Sequence, residues 1–288
     1  MRVKHRSEKI PATYAFLTHM LNFCFAFLLS PYRHAPLIMR MVKREVVGRY
    51  RGSWLGLIWS FVTPVLMLAI YTFVFSFVFK ARWDQQPASP YEFALVLFAG
   101  LIVFNLFSEC VSRAPMLILQ NTNYVKKIIF PLEILPWVAL GSALFHAGIS
   151  LLVLLIFLGL SGHTFTLSML WLPLIWLPFV LLIVGLSWFL ASLGVFLRDI
   201  NQIIGMLMTV LLFMCPIFYP LSTLPDSVSR FLFLNPLTLI VEQTRAVLIW
   251  GRQPDWSGLS FYTLTALAIA WLGWVWFNKT RKGFADVL

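Results

Sequence analysis

The chain has 288 residues, 60% of them hydrophobic and only 11% charged, with a mean hydropathy of +0.85. Soluble domains average about 25% charged residues, so a soluble enzyme, a disordered linker protein and a secreted disulfide scaffold are all excluded. Three cysteines, Cys24, Cys110 and Cys215, stand far apart in apolar runs and support neither a disulfide framework nor a CxxC metal site. This is the composition of an all-α polytopic membrane protein.

The net charge of +11 is concentrated at the N-terminus, where ten of the 22 Lys and Arg residues fall within the first 52 positions. Basic residues set against apolar runs point to an anionic membrane face, where each contributes about 1 kcal/mol. No nucleic-acid-binding motif accompanies them. Residues 12–30, between Pro11 and Pro31, follow the basic stretch Arg2 to Lys9 as a signal anchor would. They carry Thr13, Thr18, His19, Asn22 and Ser30 and lack a small-residue cleavage site. Segment 1–35 is therefore expected to be cytoplasmic and interfacial, the alternative being that 12–30 inserts as a span, which would put Arg2 to Lys9 outside against the charge rule.

Residues 36–52 form the next unit. Pro36 suits a first helical turn, and at 100° per residue Arg40, Lys43, Arg44 and Arg51 share one stripe. Met39, Val42, Val46 and Tyr50 share another, and Glu45 and Arg49 are spaced for an i,i+4 pair. The reading is an amphipathic interface helix. Its basic face either anchors the chain or meets anionic headgroups and an anionic lipid-linked substrate.

Residues 53–288 form the membrane domain. A span needs about 20 largely apolar residues, and 54–79, 93–112, 134–160, 167–195 and 259–277 supply them, with 202–221 just long enough to be a sixth. Pro64, Pro173, Pro178 and Pro216 predict kinks, which membranes tolerate where neighbours satisfy the freed carbonyls. The first span is rich in aromatic residues, and those at its ends fit an interface belt. Trp59, Tyr71 and Phe75 are the candidates for lining a channel, where flat rings stack on sugar faces.

The loop after the second span contains Asn121, Tyr124, Val125, Lys126, Lys127, Ile128, Ile129 and Phe130. Asn121 or Thr122 would cap a short helix that Pro131 ends. Apolar side chains beside two lysines fit a helix docked in a partner's groove; the plain alternative is a helix lying on lipid. Arg198 and Asp199, closing the fourth span, read as a local ion pair.

Between spans 5 and 6, the stretches 224–234 and 236–250 read as a re-entrant helical hairpin. Pro225 opens it, Asn235 suits an N-cap, Pro236 the first helical position and Gly251 the residue beyond the end. Glu242, Gln243 and Arg245 interrupt the second helix too strongly for a lipid-facing span. Irregular backbone at that depth requires protein or a water-filled cavity beside it, so the hairpin is expected to border a pathway as an outer gate.

With six spans, seventeen Lys and Arg residues fall on the N-terminal side and five on the other. The positive-inside rule then makes both termini cytoplasmic. No phosphate-binding loop, HExxH or GxSxG motif occurs, so no catalytic residue, metal site or cofactor is expected in this chain. Glu109 and His146 are ionisable groups at membrane depth, yet no acid relay for proton coupling accompanies them.

Four stretches are familiar in order: RYRGSWLGLIWSFVTPVLMLAIYTFVF at 49–75, NTNYVKKIIFPLEILP at 121–136, LGVFLRDI at 193–200 and NPLTLIVEQTRAVLIWG at 235–251. Together they resemble ABC-2 type permeases of the polysaccharide-exporting subfamily (O-antigen, capsule and teichoic acid), over about residues 36–285. The resemblance implies a homodimer of six-span subunits in the bacterial inner membrane, paired with two copies of a separate ATPase that binds ATP and Mg. It also maps 121–133 to the ATPase-coupling helix and 222–250 to the outer gate. The expected cargo is a lipid-linked polysaccharide, with O-antigen the preferred class. An ABC-2 exporter of a drug or lipid, and a multi-pass enzyme acting on lipid-linked sugars, are the alternatives.

Overall fold

Apolar runs of this length satisfy their own backbone hydrogen bonds in lipid only as helices or a closed barrel. Every regular element among the described residues is helical. The computed structural model describes residues 27–79, 83, 91–126 and 130–288. The basic stretch Arg2 to Lys9, Cys24 and most of the 12–30 segment lie outside the described residues. So do Lys80, Arg82, Lys127, Ile128 and Ile129.

The helices are α1 Ala35–Arg49, α2 Trp59–Tyr71, α3 Glu92–Arg113, α4 Thr122–Val125, α5 Leu135–Leu160 and α6 Leu172–Phe196. They continue as α7 Ile200–Met214, α8 Asp226–Leu232, α9 Pro236–Leu248, α10 Trp256–Thr280 and α11 Phe284–Val287. Five helical stretches are long and apolar enough to cross a membrane: Gly56–Val78, Glu92–Met116, Leu132–Leu160, Leu167–Phe196 and Trp256–Val287. They match the expected first four spans and the last.

The run 202–221 departs from expectation. Its helix, α7, is 15 residues long, about 22 Å, against a hydrocarbon core of about 30 Å. Pro216 is the reason: it forces Cys215 into extended backbone at φ −89° and ψ 140° and ends the helix. Pro64 and Pro178 do lie inside helices, whereas Pro173 takes a first-turn position in α6 and kinks nothing. Beyond Tyr71, α2 loosens into π winding over Thr72–Val78, a change its composition does not announce.

Helix α3 is the centre of the bundle. In its most apolar window 83% of residues are buried, against 6% for the Gly56–Val78 stretch, which stands almost bare on one flank. Helices α6 and α10 run parallel, with Trp171 against Trp256 at one end and Phe196 against Phe284 at the other. Glycines set their spacing: a Cβ on Gly185 would lie 2.5 Å from the Ala270 Cα, and one on Gly273 would strike the Gly185 carbonyl. Small residues permit such close helix approach where lipid offers no hydrophobic drive between helices. The Trp188 indole packs between Trp137 and Trp274 and donates to the Glu133 carbonyl at 3.0 Å.

Helix α1 begins as expected, with Pro36 in its first turn, but it lies against protein on one side. Met41 and Val46 are buried, Val42 meets the bare backbone at Gly141 of α5, and Met39 is exposed. The expected Glu45–Arg49 pair gives way to two longer-range bonds. Glu45 binds Arg113, and Arg49 reaches Glu109 at 2.5 Å. A partner on a neighbouring helix is already positioned by packing, so these bonds tie α1 to α3.

Candidate functional site

Three helices turn matching faces towards one another. Ser60, Thr63, Met67 and Tyr71 recur at helical spacing on α2, as do Phe98, Ile102, Asn105 and Glu109 on α3 and Ala143, His146 and Ser150 on α5. Each set lies on one side of its helix because residues three or four apart share a face. Together with Arg49 and Tyr50 they enclose an open cavity of about 530 Å³. A helix that is otherwise buried exposes Asn105 into it, and the Asn105 amide has no hydrogen-bond partner among the described residues.

The α1 end of the cavity is charged. Glu45, Arg113, Glu109 and Arg49 alternate in sign along a chain of ion pairs, with Arg113 also 3.7 Å from Glu109. Beyond Arg49, His146 closes the row. Its Nδ1 lies 3.5 Å from Arg49 Nη1 and 3.3 Å from the Ser142 carbonyl, and its Nε2 lies 3.2 Å from the Tyr50 hydroxyl. Farther along the wall the polar groups are neutral: Ser60 and Ser150 donate to carbonyls of their own helices, and Thr63 and Asn105 stand between.

A second polar centre lies at the opposite end, under α9. Arg245 is fully buried, and its guanidinium donates to the carbonyls of Val96 at 2.9 Å, Pro216 at 2.6 Å and Ile217 at 3.0 Å. It also pairs with Glu242 at 2.9 Å and covers the Trp83 ring at 4.5 Å. The hairpin is thereby bonded to α3 and to the broken backbone after α7. Glu242, Gln243 and Arg245 interrupt the apolar pattern as expected, but Arg245 is no loop charge; each of its three guanidinium nitrogens has an internal acceptor. Gln243 accepts from the backbone N–H of Asp255 at 2.9 Å, which ties α9 to the start of α10.

The other expected site residues are distributed as follows. Arg40, Lys43, Arg44 and Arg51 are all exposed, and Arg44 donates to the Tyr124 hydroxyl at 3.1 Å. Tyr124 stacks on Phe130 at 4.2 Å, and Val125 and Phe130 rest against the core beside exposed Lys126. Asn121 does not cap α4; its amide turns back to the Leu117 carbonyl at 2.9 Å. Pro225 stands at the N-cap of α8, while Asn235 caps α9 by accepting from Leu237 N–H, with Pro236 in the first turn. Arg198 and Asp199 are exposed, and no ion pair joins them among the described residues. Of the aromatic candidates only Tyr71 lines the cavity. Trp59 is exposed, and Phe75 stacks on Phe93 at 5.2 Å. Arg49 and Tyr50 were absent from the expected site, although their i,i+4 spacing to Glu45 and Val46 places them on the protein-facing side of α1.

Five helical stretches long and apolar enough to cross a membrane, three of them lining a cavity with polar groups in its wall, define a multi-pass helical membrane protein. More narrowly, the chain belongs to the ABC-2 type transporter family, whose model matches residues 36–249. It is 29% identical to the O-antigen export system permease protein RfbA of Myxococcus xanthus, over 88% of this chain and 96% of that one. An O-antigen export system permease protein RfbA of Klebsiella pneumoniae is 26% identical over 88% of this chain and 95% of its own length. The polysialic acid transport protein KpsM of Escherichia coli is 24% identical over 80% of this chain and 88% of its own.

Proposed function

We propose that the chain is the membrane permease subunit of an ATP-driven ABC exporter that moves a lipid-linked polysaccharide, O-antigen first among the classes, across the bacterial inner membrane. The observation that carries this reading is a polar cavity at membrane depth in a chain that aligns with O-antigen export permeases over 88% of its length. In this reading the chain crosses the membrane six times, with α7 and the backbone after it as the fifth crossing. The α8–α9 hairpin is re-entrant from the outer side, and both termini are cytoplasmic. A homodimer belongs to this reading, with the Gly56–Val78 stretch, which its own fold leaves uncovered, as the surface open to a second copy.

Hydrolysis belongs to two copies of a separate ATPase, which bind ATP and Mg; the permease itself performs no chemistry. The docking element is the segment from Asn121 to Phe130, where the Tyr124–Phe130 stack stiffens a single helical turn. Arg44 ties that segment to α1, whose exposed Arg40 and Lys43, with Arg51 in the turn beyond it, face anionic phospholipid. Movement of the partner is thus passed to the helix that holds one end of the cavity.

The test is complementation of a strain whose own permease is deleted, with surface glycan and its internal lipid-linked precursor both measured. Restored surface glycan that requires the partner ATPase supports the reading. Lys126→Glu reverses the charge of an exposed side chain in this segment, so the ATPase should bind more weakly while the permease still inserts. Normal ATPase binding and normal export in Lys126→Glu overturn the docking assignment, and absence of glycan export by the unmodified chain overturns the function.

A further inference from the structure

We propose that Arg49, Tyr50 and His146 form a binding site for the phosphate group that joins a glycan to its lipid, with Glu109 as a displaceable stand-in for that phosphate. The site deepens the exporter reading and rests on it. A phosphate ester carries fixed charge whatever the sugars attached to it, and low-dielectric surroundings make that charge costly unless a cation receives it. Among the described residues that line the cavity the only arginine is Arg49, and the wall beyond Glu109 sets neutral polar groups among apolar ones, as suits sugars.

The donors at this site are not all used. Glu109 takes Arg49 Nη2 at 2.5 Å. His146 Nδ1 faces both Arg49 Nη1 and the Ser142 carbonyl, so the two ring tautomers use the remaining donors differently. With the proton on Nδ1, the ring donates to Ser142 and accepts from Tyr50, and Arg49 Nη1 is left for an anion. With the proton on Nε2, the ring accepts from Arg49 and donates to Tyr50, whose own O–H is left instead. Either tautomer leaves at least one donor for the cavity.

Glu109 can leave Arg49 without becoming an unpaired buried charge, because Arg113 lies 3.7 Å away on the same helix face. A single linking phosphate carries one negative charge, as a carboxylate does, whereas a diphosphate linkage carries two, with four terminal oxygens, so exchange at Arg49 favours a diphosphate-linked ligand. Glu109 then shifts towards Arg113, which also holds Glu45 of α1. Loading of the cavity is thereby signalled to α1, the helix bonded to Tyr124 through Arg44.

The experiment uses the full-length chain in phosphatidylcholine nanodiscs, without nucleotide, and measures binding of radiolabelled farnesyl diphosphate. Arg49→Gln weakens binding about tenfold or more, the change expected from losing a charge-assisted hydrogen bond. Glu109→Gln tightens it, since the competing carboxylate is gone. That opposite sign separates a displaceable counter-ion from a structural ion pair, whose loss on either side would weaken binding. Competition by phosphatidylglycerol as well as by unlabelled farnesyl diphosphate assigns the site to phospholipid headgroups and glycan carriers alike, and competition by the diphosphate alone assigns it to the carrier. Equal competition by farnesol, unchanged binding in Arg49→Gln, or weaker binding in Glu109→Gln overturns the site. Export in cells reads the parent function separately: glycan export with no diphosphate binding removes the site alone.

Discussion

Arg245 occupies the space that a side chain at position 100 would fill. A Cβ on Gly100 of α3 would lie 2.7 Å from the Arg245 Nη2 and 3.3 Å from its Cζ. The guanidinium is thus seated against bare backbone, where it reaches the Val96 carbonyl one turn away on α3 and the Pro216 and Ile217 carbonyls of the extended backbone just beyond the end of α7. The break in α7 and the buried arginine explain one another: the backbone leaves helical geometry where a cation is positioned to donate hydrogen bonds to its carbonyls.

Arg245→Met should therefore destabilise the fold by about 3 kcal/mol or more, since three buried carbonyls and Glu242 lose their donor. Arg245→Lys keeps the charge but has no planar fork with which to span acceptors on two elements, and its loss should be intermediate. Thermal unfolding of the detergent-purified chain checks both. Equal stability of the methionine variant and the unmodified protein would show that the carbonyls find other donors.

The α6–α10 crossing makes a second prediction. Gly185→Ala adds a single methyl group, but it would strike backbone at Ala270 rather than a side chain able to rotate away. Overpacking of that kind costs about 1–3 kcal/mol. Gly148, around which a Cβ meets nothing within 4 Å, is the matched control. Gly148→Ala should leave the melting temperature within experimental scatter, and Gly185→Ala should lower it.

Five spans were legible because long apolar runs in lipid have a single backbone solution. The caps of the hairpin were legible because Asn235 and Pro236 act locally, within three residues. Asn121 has the right residue type for a cap, yet its amide found the Leu117 carbonyl behind it. The ion pairs failed for a different reason. Sequence spacing finds only partners on the same helix, and Glu45 and Arg49 each found one on α3 instead. The cavity was concealed likewise: Asn105, His146 and Thr63 each look like an isolated polar residue until three helices bring their faces together. Arg245 was legible as an interruption of an apolar helix but not as buried, because its acceptors are backbone atoms, which the sequence does not distinguish.

Asp255 supplies a prediction about pH. Its carboxylate caps α10, accepting from the Ser257 hydroxyl at 2.6 Å and from the Ser257 and Gly258 N–H groups. These bonds, the Ser257 hydroxyl first, hold the Asp255 carboxyl below the usual carboxylate range. A depressed folded pKa contributes stability that is present above the unfolded value of about 3.9 and is lost as pH falls through the folded value. The group is largely solvent-exposed, so solvent screening keeps the effect below about 1 kcal/mol. Asp255→Asn preserves a capping oxygen and should flatten this acid limb of the melting-temperature profile while changing neutral stability little. An acid limb of unchanged steepness in the variant would assign the pH dependence to another carboxylate.

The last prediction concerns the tie between α1 and α3. Glu45 and Arg113 face each other across the two helices, and Arg113 also lies near Glu109. Glu45→Arg sets like charges together and draws Arg113 wholly to Glu109, so α1 should loosen from the bundle. Arg113→Glu alone is worse, because three carboxylates then face Arg49 by itself. The double exchange, Glu45→Arg with Arg113→Glu, restores opposite signs at the Glu45–Arg113 contact but leaves Glu109 beside a new carboxylate. Recovery should therefore be partial and should become nearly complete only when Glu109→Gln is added. Both partners are about one-third exposed, so each step is worth about 1 kcal/mol rather than the several expected of a fully buried pair. The measurement is limited proteolysis after α1, with melting temperature in parallel. Full recovery in the double exchange would mean that Glu109 does not share in the network, and no effect of Glu45→Arg would mean that apolar contacts at Met41, Val42 and Val46 hold α1 unaided.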